Sequence, residues 1–310
     1  MGDDRKSDLK AMNPNKVGTQ ERGSDLLTRQ SSNRDPWLFS SPSERARRDM
    51  ESLPGEPFWF CDWTEVIFVH FEVNAAILQR EVPFRLDLFD GRAFVSLVAF
   101  KLTDMRPRRG GRLTRLLFSP FGTHRFLNAR AYVRHGDQRG IYFLAEWLDA
   151  PWLNLLAGPQ LYGLPFRAGQ LNYDNRATDG TVRGEVRDRQ GALAYSGGFN
   201  GPVRPAVPGS LDEFLVERYR AFTCRNGRRG CFPVWHEPWH IAPMSAAITD
   251  RSLLGTLGSG LAEARLYSGH WSPGAGGVWM GWRQRQFKAP SQTSPIDPAL
   301  SRYSRGWSRS

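Results

Sequence analysis

The stretch FLNARAYVRHGDQRGIYFLAEWL, residues 126–148, carries the pattern on which the fold turns. Successive strand residues point to opposite faces. Phe126, Asn128, Arg130 and Tyr132 therefore share one face, and Leu127, Ala129, Ala131 and Val133 share the other. The polar residues around Asp137 supply a loop, so Phe126–Arg134 and Gly140–Leu148 read as a hairpin. Folding about that loop sets Asn128 across from Glu146, with Arg130 on the diagonal, spacings at which side chains meet. Glu146 stands between IYFLA and WL and is expected to be buried. A buried carboxylate needs a partner, and Arg130 is the expected one. The cluster is expected to form a cavity wall that orients an anionic or hydroxylated ligand. The alternative is a structural ion pair inside a barrel.

Outward from this hairpin, short strands dominate. Trp63–Val73 reads as a strand, followed by a short helix at Ala75–Arg80. Leu86–Asp90 and Arg92–Leu102 read as strands joined at Asp90-Gly91, a hairpin dipeptide. Arg106–Arg115, RPRRGGRLTR, reads as a solvated loop, and Trp152–Ala157 as a short apolar helix. Further strands are expected at Phe166–Tyr173, Thr181–Arg187, Ala192–Gly197 and Ile241–Thr249, with a hairpin over Ala221–Val234 turning at Asn226-Gly227. Ser210 and Glu213 make a capping box for a helix with Leu211, Phe214, Leu215, Tyr219 and Phe222 on one face. Many hairpins and few helices predict a mainly antiparallel β (α+β) domain. Residues 1–50 are expected to form a disordered leader, 51–280 a single domain, and 281–310 a disordered basic tail.

Composition narrows the function. With 310 residues, 40% of them hydrophobic, the chain is long enough for a sizeable core. The net charge is +11, but residues 281–310 alone hold 6 Lys+Arg against 1 Asp+Glu, so the folded part is only mildly basic. Nucleic-acid binding needs clustered charge on one face and is not expected; tail contact with polyanionic partners is the second functional alternative, as a non-catalytic scaffold. No membrane span and no secretory leader are read from the sequence, so a cytoplasmic location and no membrane partner are expected. Cys61, Cys224 and Cys231 form no disulfide framework. C-x6-C-x4-H-x3-H, from Cys224 to His240, is looser than structural zinc spacing, so no metal and no cofactor are expected.

The segment GPQLYGLPFRAGQLNY, residues 158–173, reads as a loop, a Gly-Leu-Pro turn and a strand, with Pro165 fixing the chain direction. Together with VPFRLDLFDGRAFVSLVAFKLTDMRPR at 82–108, FLNARAYV at 126–133, GIYFLAEWL at 140–148, SLDEFLVERYRAFT at 210–223 and HEPWHI at 236–241, it resembles the domain-of-unknown-function 2071 family, over residues 57–273. That family is related by fold to acetoacetate decarboxylase. The resemblance implies a curved antiparallel sheet closing around an apolar, ligand-sized cavity. In the decarboxylase relatives two adjacent lysines after the turn proline build an amine site, one forming a Schiff base. Phe166 and Arg167 stand at the matching positions here, and neither can form an imine under such conditions.

The resulting ligand-binding candidates are Asn128, Arg130, Glu146, Tyr162, Phe166, Arg167 and His236. Arg167 is expected to aim a second guanidinium at the same space, with Tyr162 and Tyr173 flanking it. His236-Glu237 is a possible acid–base unit. The expected function is binding, or conversion without a Schiff base, of a small acidic or oxygenated molecule, in a chain able to form a homo-oligomer.

Overall fold

The computed structural model of the chain describes residues 41–149, 152–176, 179–199 and 201–285. Helix α1 (Pro42–Ser52) is followed by β1 (Trp59–Val73), α2 (Ala75–Glu81), β2 (Arg85–Leu86) and β3 (Ala93–Pro107). Then come α3 (Gly111–Phe118), β4 (His124–His135), β5 (Gln138–Leu148), α4 (Trp152–Leu161), β6 (Phe166–Ala168) and β7 (Gln170–Asp174). The remainder runs β8 (Thr181–Arg187), β9 (Ala192–Gly198), β10 (Arg204–Pro205), α5 (Leu211–Val216), β11 (Arg220–Arg225), β12 (Arg228–Trp235), β13 (His240–Asp250), α6 (Ser252–Gly255), β14 (Arg265–Met280) and β15 (Gln284–Arg285).

One sheet links the strands in the order β15-β12-β11-β5-β4-β3-β1-β14-β13-β9-β8-β7. A second pairing, of β12 with β14 at Val234↔Met280 and Trp235↔Trp279, closes the stretch from β12 to β14 into a ring. Alternation then gives each ring strand an inside and an outside. Val66, Phe68, Val98, Phe100, Phe126, Tyr132 and Phe232 pack inward as one apolar cluster. Ile67, Val69, Val95, Leu97, Leu127, Ala129, Ala131 and Val133 pack outward as a second. Beyond the ring, β13, β9, β8 and β7 continue the sheet, and Leu171, Val182, Val186, Leu193 and Tyr195 join that outer core. The sheet is mixed rather than wholly antiparallel, because β5 pairs in parallel with both β6 and β11.

The local reasons follow the sequence closely in places. Asp90 and Gly91 sit at φ 49° and 78°, and Asn226 and Gly227 at 51° and 71°, the left-handed values that tight hairpin turns demand. The first turn closes only the bridge Phe89↔Arg92, however, and β2 pairs with β4 instead of β3.

Three sequence expectations are corrected. The stretch expected as a disordered leader ends in helix α1, whose Ser41 cap, Pro at the first turn and buried Met50 pin it. Ser43 Oγ donates to the His236 carbonyl at 2.8 Å, and Trp235 Nε1 donates to the Ser43 carbonyl at 3.1 Å. Residues 1–40 and 286–310 lie outside the described part of the chain, while β15 extends the order into the expected tail. RPRRGGRLTR is a loop only over residues 108–110, between the end of β3 at Pro107 and the start of α3. The helix after Ser210 stops at Val216, so Tyr219 follows it and Phe222 belongs to β11. Its cap is half a box: Ser210 Oγ accepts from Glu213 N, but the Glu213 carboxylate accepts from Gly209 N.

The parallel junction of β5 with β11 depends on Gly140. A Cβ there would lie 2.4 Å from the Arg220 carbonyl oxygen and 2.8 Å from the Phe222 ring. Backbone cannot give way cheaply, so Gly140→Ala is expected to cost roughly 1–3 kcal/mol by overpacking. A urea midpoint equal to wild type would show that the two strands are not so closely apposed.

Candidate functional site

The ring encloses a cavity of about 430 Å³ with mostly aromatic and aliphatic walls, among them Trp63, Phe68, Phe100, Phe126, Phe166 and Trp239. Asn128, Arg130, Glu146, Arg218 and His236 supply its polar groups. Six of the seven candidates thus border one space: Asn128, Arg130, Glu146, Tyr162, Phe166 and His236.

Arg167 does not. β6 runs parallel to β5 with Glu146↔Phe166 and Trp147↔Arg167 in register. Side chains at matching positions share a face, so Phe166 accompanies Glu146 into the cavity. Arg167 accompanies Trp147 outward, its guanidinium 5.4 Å from the Trp147 ring and 3.3 Å from Thr256 Oγ1. The expectation that the turn aims Arg167 at the cavity is overturned by this parity. Gly158 allows the Phe166 position, since a Cβ there would fall 2.1 Å from the ring. The turn is held by Glu146 N donating to the Pro165 carbonyl at 3.1 Å.

Asn128 and Glu146 are cross-strand partners, as the hairpin predicts. Arg130 is not diagonal to Glu146. A bulge between Ala129 and Arg130 shifts the register and sets Arg130 opposite Phe143. Its Nη2 donates to the Leu215 carbonyl at 2.9 Å, and the guanidinium lies 5.4 Å from the Phe68 ring. The expected Arg130–Glu146 ion pair is therefore absent among the described residues. Burial alone pushes the Glu146 carboxyl up to about 8, so it is a neutral acid at pH 7. Glu146 Oε2, Asn128 Oδ1 and Arg130 Nε are buried without a hydrogen-bond partner in the protein. Such atoms are costly unless something pairs with them.

The other polar residues have contacts of their own, although Arg218 Nε and Nη2 are buried without a hydrogen bond. Arg218 pairs with Asp87 at 3.2 Å, both side chains buried, and Arg139 reaches the same carboxylate at 2.7 Å. Desolvation lowers Arg218 to about 10. Glu217 accepts from Trp239 N at 2.7 Å and from Tyr219, and burial raises it to about 7. Tyr162 donates to the Gly281 carbonyl at 3.1 Å. His236 is held against the Glu237 backbone carbonyl at 2.7 Å, so the expected His–carboxylate unit is a His–carbonyl contact. Burial lowers His236 to about 4, which keeps it neutral.

Deeper in the ring lies a chain that the sequence reading missed. His70 Nδ1 is 2.6 Å from Ser96 Oγ, which is 2.5 Å from Tyr132 Oη. Tyr132 donates to the Leu215 carbonyl at 2.7 Å, the same oxygen that receives Arg130. In the other direction His70 Nε2 is 3.1 Å from His270 Nδ1, and His270 Nε2 is 3.2 Å from the half-exposed Asp212 carboxylate. The visible signal was a polar residue in the inward phase of two apolar strands, His70 in VIFVHFEV and Ser96 in AFVSLVAF.

The family model described as an uncharacterized conserved protein, the domain of unknown function 2071, matches residues 61–275. The chain belongs to this family. A similar protein is the uncharacterized protein YqjF of Bacillus subtilis (strain 168), 30% identical over 236 residues, covering 72% of this chain and 91% of YqjF. Solved structures of similar fold include an acetoacetate decarboxylase-like enzyme from Sphingomonas wittichii RW1. It has a TM-score of 0.53 at 18% identity, covering 75% of this chain and 95% of that one. Another is acetoacetate decarboxylase from Legionella pneumophila, with TM-score 0.51 at 12% identity, covering 77% and 94%. The enduracididine biosynthesis enzyme MppR, in complex with a pyruvate–imidazole 4-carboxaldehyde condensation product, has TM-score 0.55 at 14% identity, covering 74% and 89%. At these identities the likeness establishes the fold. The family member described here has one lysine among its described residues, Lys101 on β3, and it does not border the cavity.

The buried acid makes a pH prediction. Folded Glu146 keeps its proton up to about 8, whereas its ordinary value is 4.5. Between these values the folded state holds one proton more than the unfolded chain, so stability falls as pH rises and levels off above the upper value. His236 acts oppositely between about 4 and 6.5, where only the unfolded chain takes the proton. Glu146→Gln removes the first effect alone. The stability of wild type minus that of Glu146→Gln should decline steadily from about pH 5 to about pH 8. A difference that does not change with pH would show that Glu146 is ionised in the fold.

Proposed function

We propose that this protein binds a small amphiphilic organic acid in the ring cavity, with the acid group at the Asn128–Arg130–Glu146 end and the apolar body against the aromatic wall. The observation that carries this is that Glu146 Oε2, Asn128 Oδ1 and Arg130 Nε are buried on neighbouring strands without protein partners in a mostly apolar cavity, where Arg218 Nε and the indole nitrogens of Trp59 and Trp63 are buried unpartnered as well. Arg130 Nε–H and the protonated Glu146 carboxyl both donate, which suits a carboxylate or another oxygen-rich group. A neutral Glu146 also avoids repelling an anion. The wall has room for a body the size of a medium-chain acid.

Any reaction on such a ligand proceeds without an imine. Phe166 offers no nucleophile, and Lys101 is not at the cavity. Contact of the basic tail with polyanions falls on residues outside the described part of the chain, and no observation favours it as the main function.

Octanoate is the simplest probe. It is expected to raise the melting temperature at pH 7, with an affinity at least about ten-fold weaker for Arg130→Met, the loss expected of one charge-assisted hydrogen bond. As pH rises through about 8, Glu146 ionises and binding should weaken, whereas Glu146→Gln should keep its affinity there. No stabilisation by octanoate or by shorter and longer homologues would overturn the ligand class.

Borohydride added with acetoacetate should leave Lys101 unmodified in the intact-mass spectrum. A stoichiometric adduct on Lys101 would restore the Schiff-base reading.

A further inference from the structure

Helix α3 points its leucines away from the protein. Leu113, Leu116 and Leu117 are 68%, 70% and 64% exposed, while Phe118 on the opposite side borders the cavity. At about 100° per residue the three leucines form one stripe. The stripe does not stand alone: Leu161 on α4 is 44% exposed and also borders the cavity, Leu156 is 55% exposed, and Trp282, packed 5.8 Å from Tyr162, is 44% exposed. Exposed apolar surface of this extent marks an interaction site.

The charge beside it is one-sided. Arg106, Arg108, Arg109, Arg112 and Arg115 fall within ten residues, and positions 105–118 contain no acidic residue. Asp104 takes up part of this charge, pairing with Arg106 at 2.5 Å and Arg115 at 2.9 Å. Two copies of this face would bring like charges together, which disfavours a second copy as its cover. A surface that is apolar inside and anionic at its boundary fits both features.

We infer that the α3 face docks on an anionic lipid bilayer surface, with Leu113, Leu116 and Leu117 among the acyl chains and the arginines at the headgroups. The absence of a spanning helix among the described residues concerns crossing a membrane and leaves a surface contact open. If the cavity takes an amphiphilic acid, as proposed above, Phe118 and Leu161 connect the docked face to it, so that ligand passes between bilayer and cavity without crossing water. The docking itself does not depend on that reading.

The full-length protein should sediment with vesicles of phosphatidylglycerol and phosphatidylcholine, much less with phosphatidylcholine alone, and less as salt is raised. Leu113→Ser/Leu116→Ser/Leu117→Ser should weaken partitioning at least ten-fold while keeping the octanoate-induced thermal shift. That shift reports on the cavity separately: its loss in wild type would defeat the ligand reading and leave docking standing. Because the basic C-terminal segment could itself hold anionic vesicles, a second readout is a bimane attached at Leu117→Cys in a Cys224→Ser background. Its emission should shift to the blue on phosphatidylglycerol vesicles. Unshifted emission on protein that sediments, sedimentation unaffected by the triple substitution, or a wild-type dimer that the triple substitution dissociates would each overturn the inference, the last by assigning the face to a second copy.

Discussion

Val234 and Trp235 on β12 pair with Met280 and Trp279 on β14, and this short ladder decides that the sheet has an inside. Without it, the inward residues of β1, β3, β4, β5 and β11 would line one face of an open, twisted sheet. With it, the same alternation encloses a volume that side chains from opposite walls do not fill. The second core is a consequence of the same strands. Their outward residues are as apolar as their inward ones, so the outer face must also be covered, and β7, β8 and β9 cover it. Trp235 ties α1 to the closing strand through Ser43, which places the start of the described chain over the seam.

Enclosure sets the chemistry. Glu146 stays protonated and neutral at pH 7 because burial in the ring keeps water from it. The bulge at Ala129/Arg130 matters here. With it, Arg130 lies opposite Phe143, and its guanidinium donates to the Leu215 carbonyl rather than pairing with Glu146. The result is a neutral donor and a cationic donor a short way apart on one wall. An ion pair would have satisfied both groups and left neither of them for a ligand.

Much of this was legible from residues alone. The alternation in FLNARAYV placed Asn128 and Arg130 on the cavity face and four small or branched residues on the other, and the Asn128–Glu146 pairing followed from the loop position. Two things were not legible for physical reasons. The bulge leaves Leu144 of β5 as an extra residue with no marker in IYFLAEWL, so the position of Arg130 relative to Glu146 came out wrong by one. The direction of Arg167 depends on the parallel register of β6 on β5, a contact between segments joined by α4, which no local pattern encodes. The glycine pair in RPRRGGRLTR concealed α3, because Gly110 and Gly111 take left-handed φ values of 113° and 55° at its start, and such residues read as the middle of a loop.

The chain from Asp212 through His270, His70, Ser96 and Tyr132 ends on a carbonyl, and a carbonyl can only accept. With Tyr132 donating there, Ser96 must donate to Tyr132, His70 Nδ1 to Ser96, and His270 Nδ1 to a His70 Nε2 that burial keeps unprotonated. The far end of the row is His270 Nε2, 3.2 Å from the half-exposed Asp212 carboxylate. The row of side chains is thus a single oriented dipole: it begins at the half-exposed Asp212 carboxylate, and every hydrogen in it points inward, toward the Leu215 oxygen that Arg130 also holds.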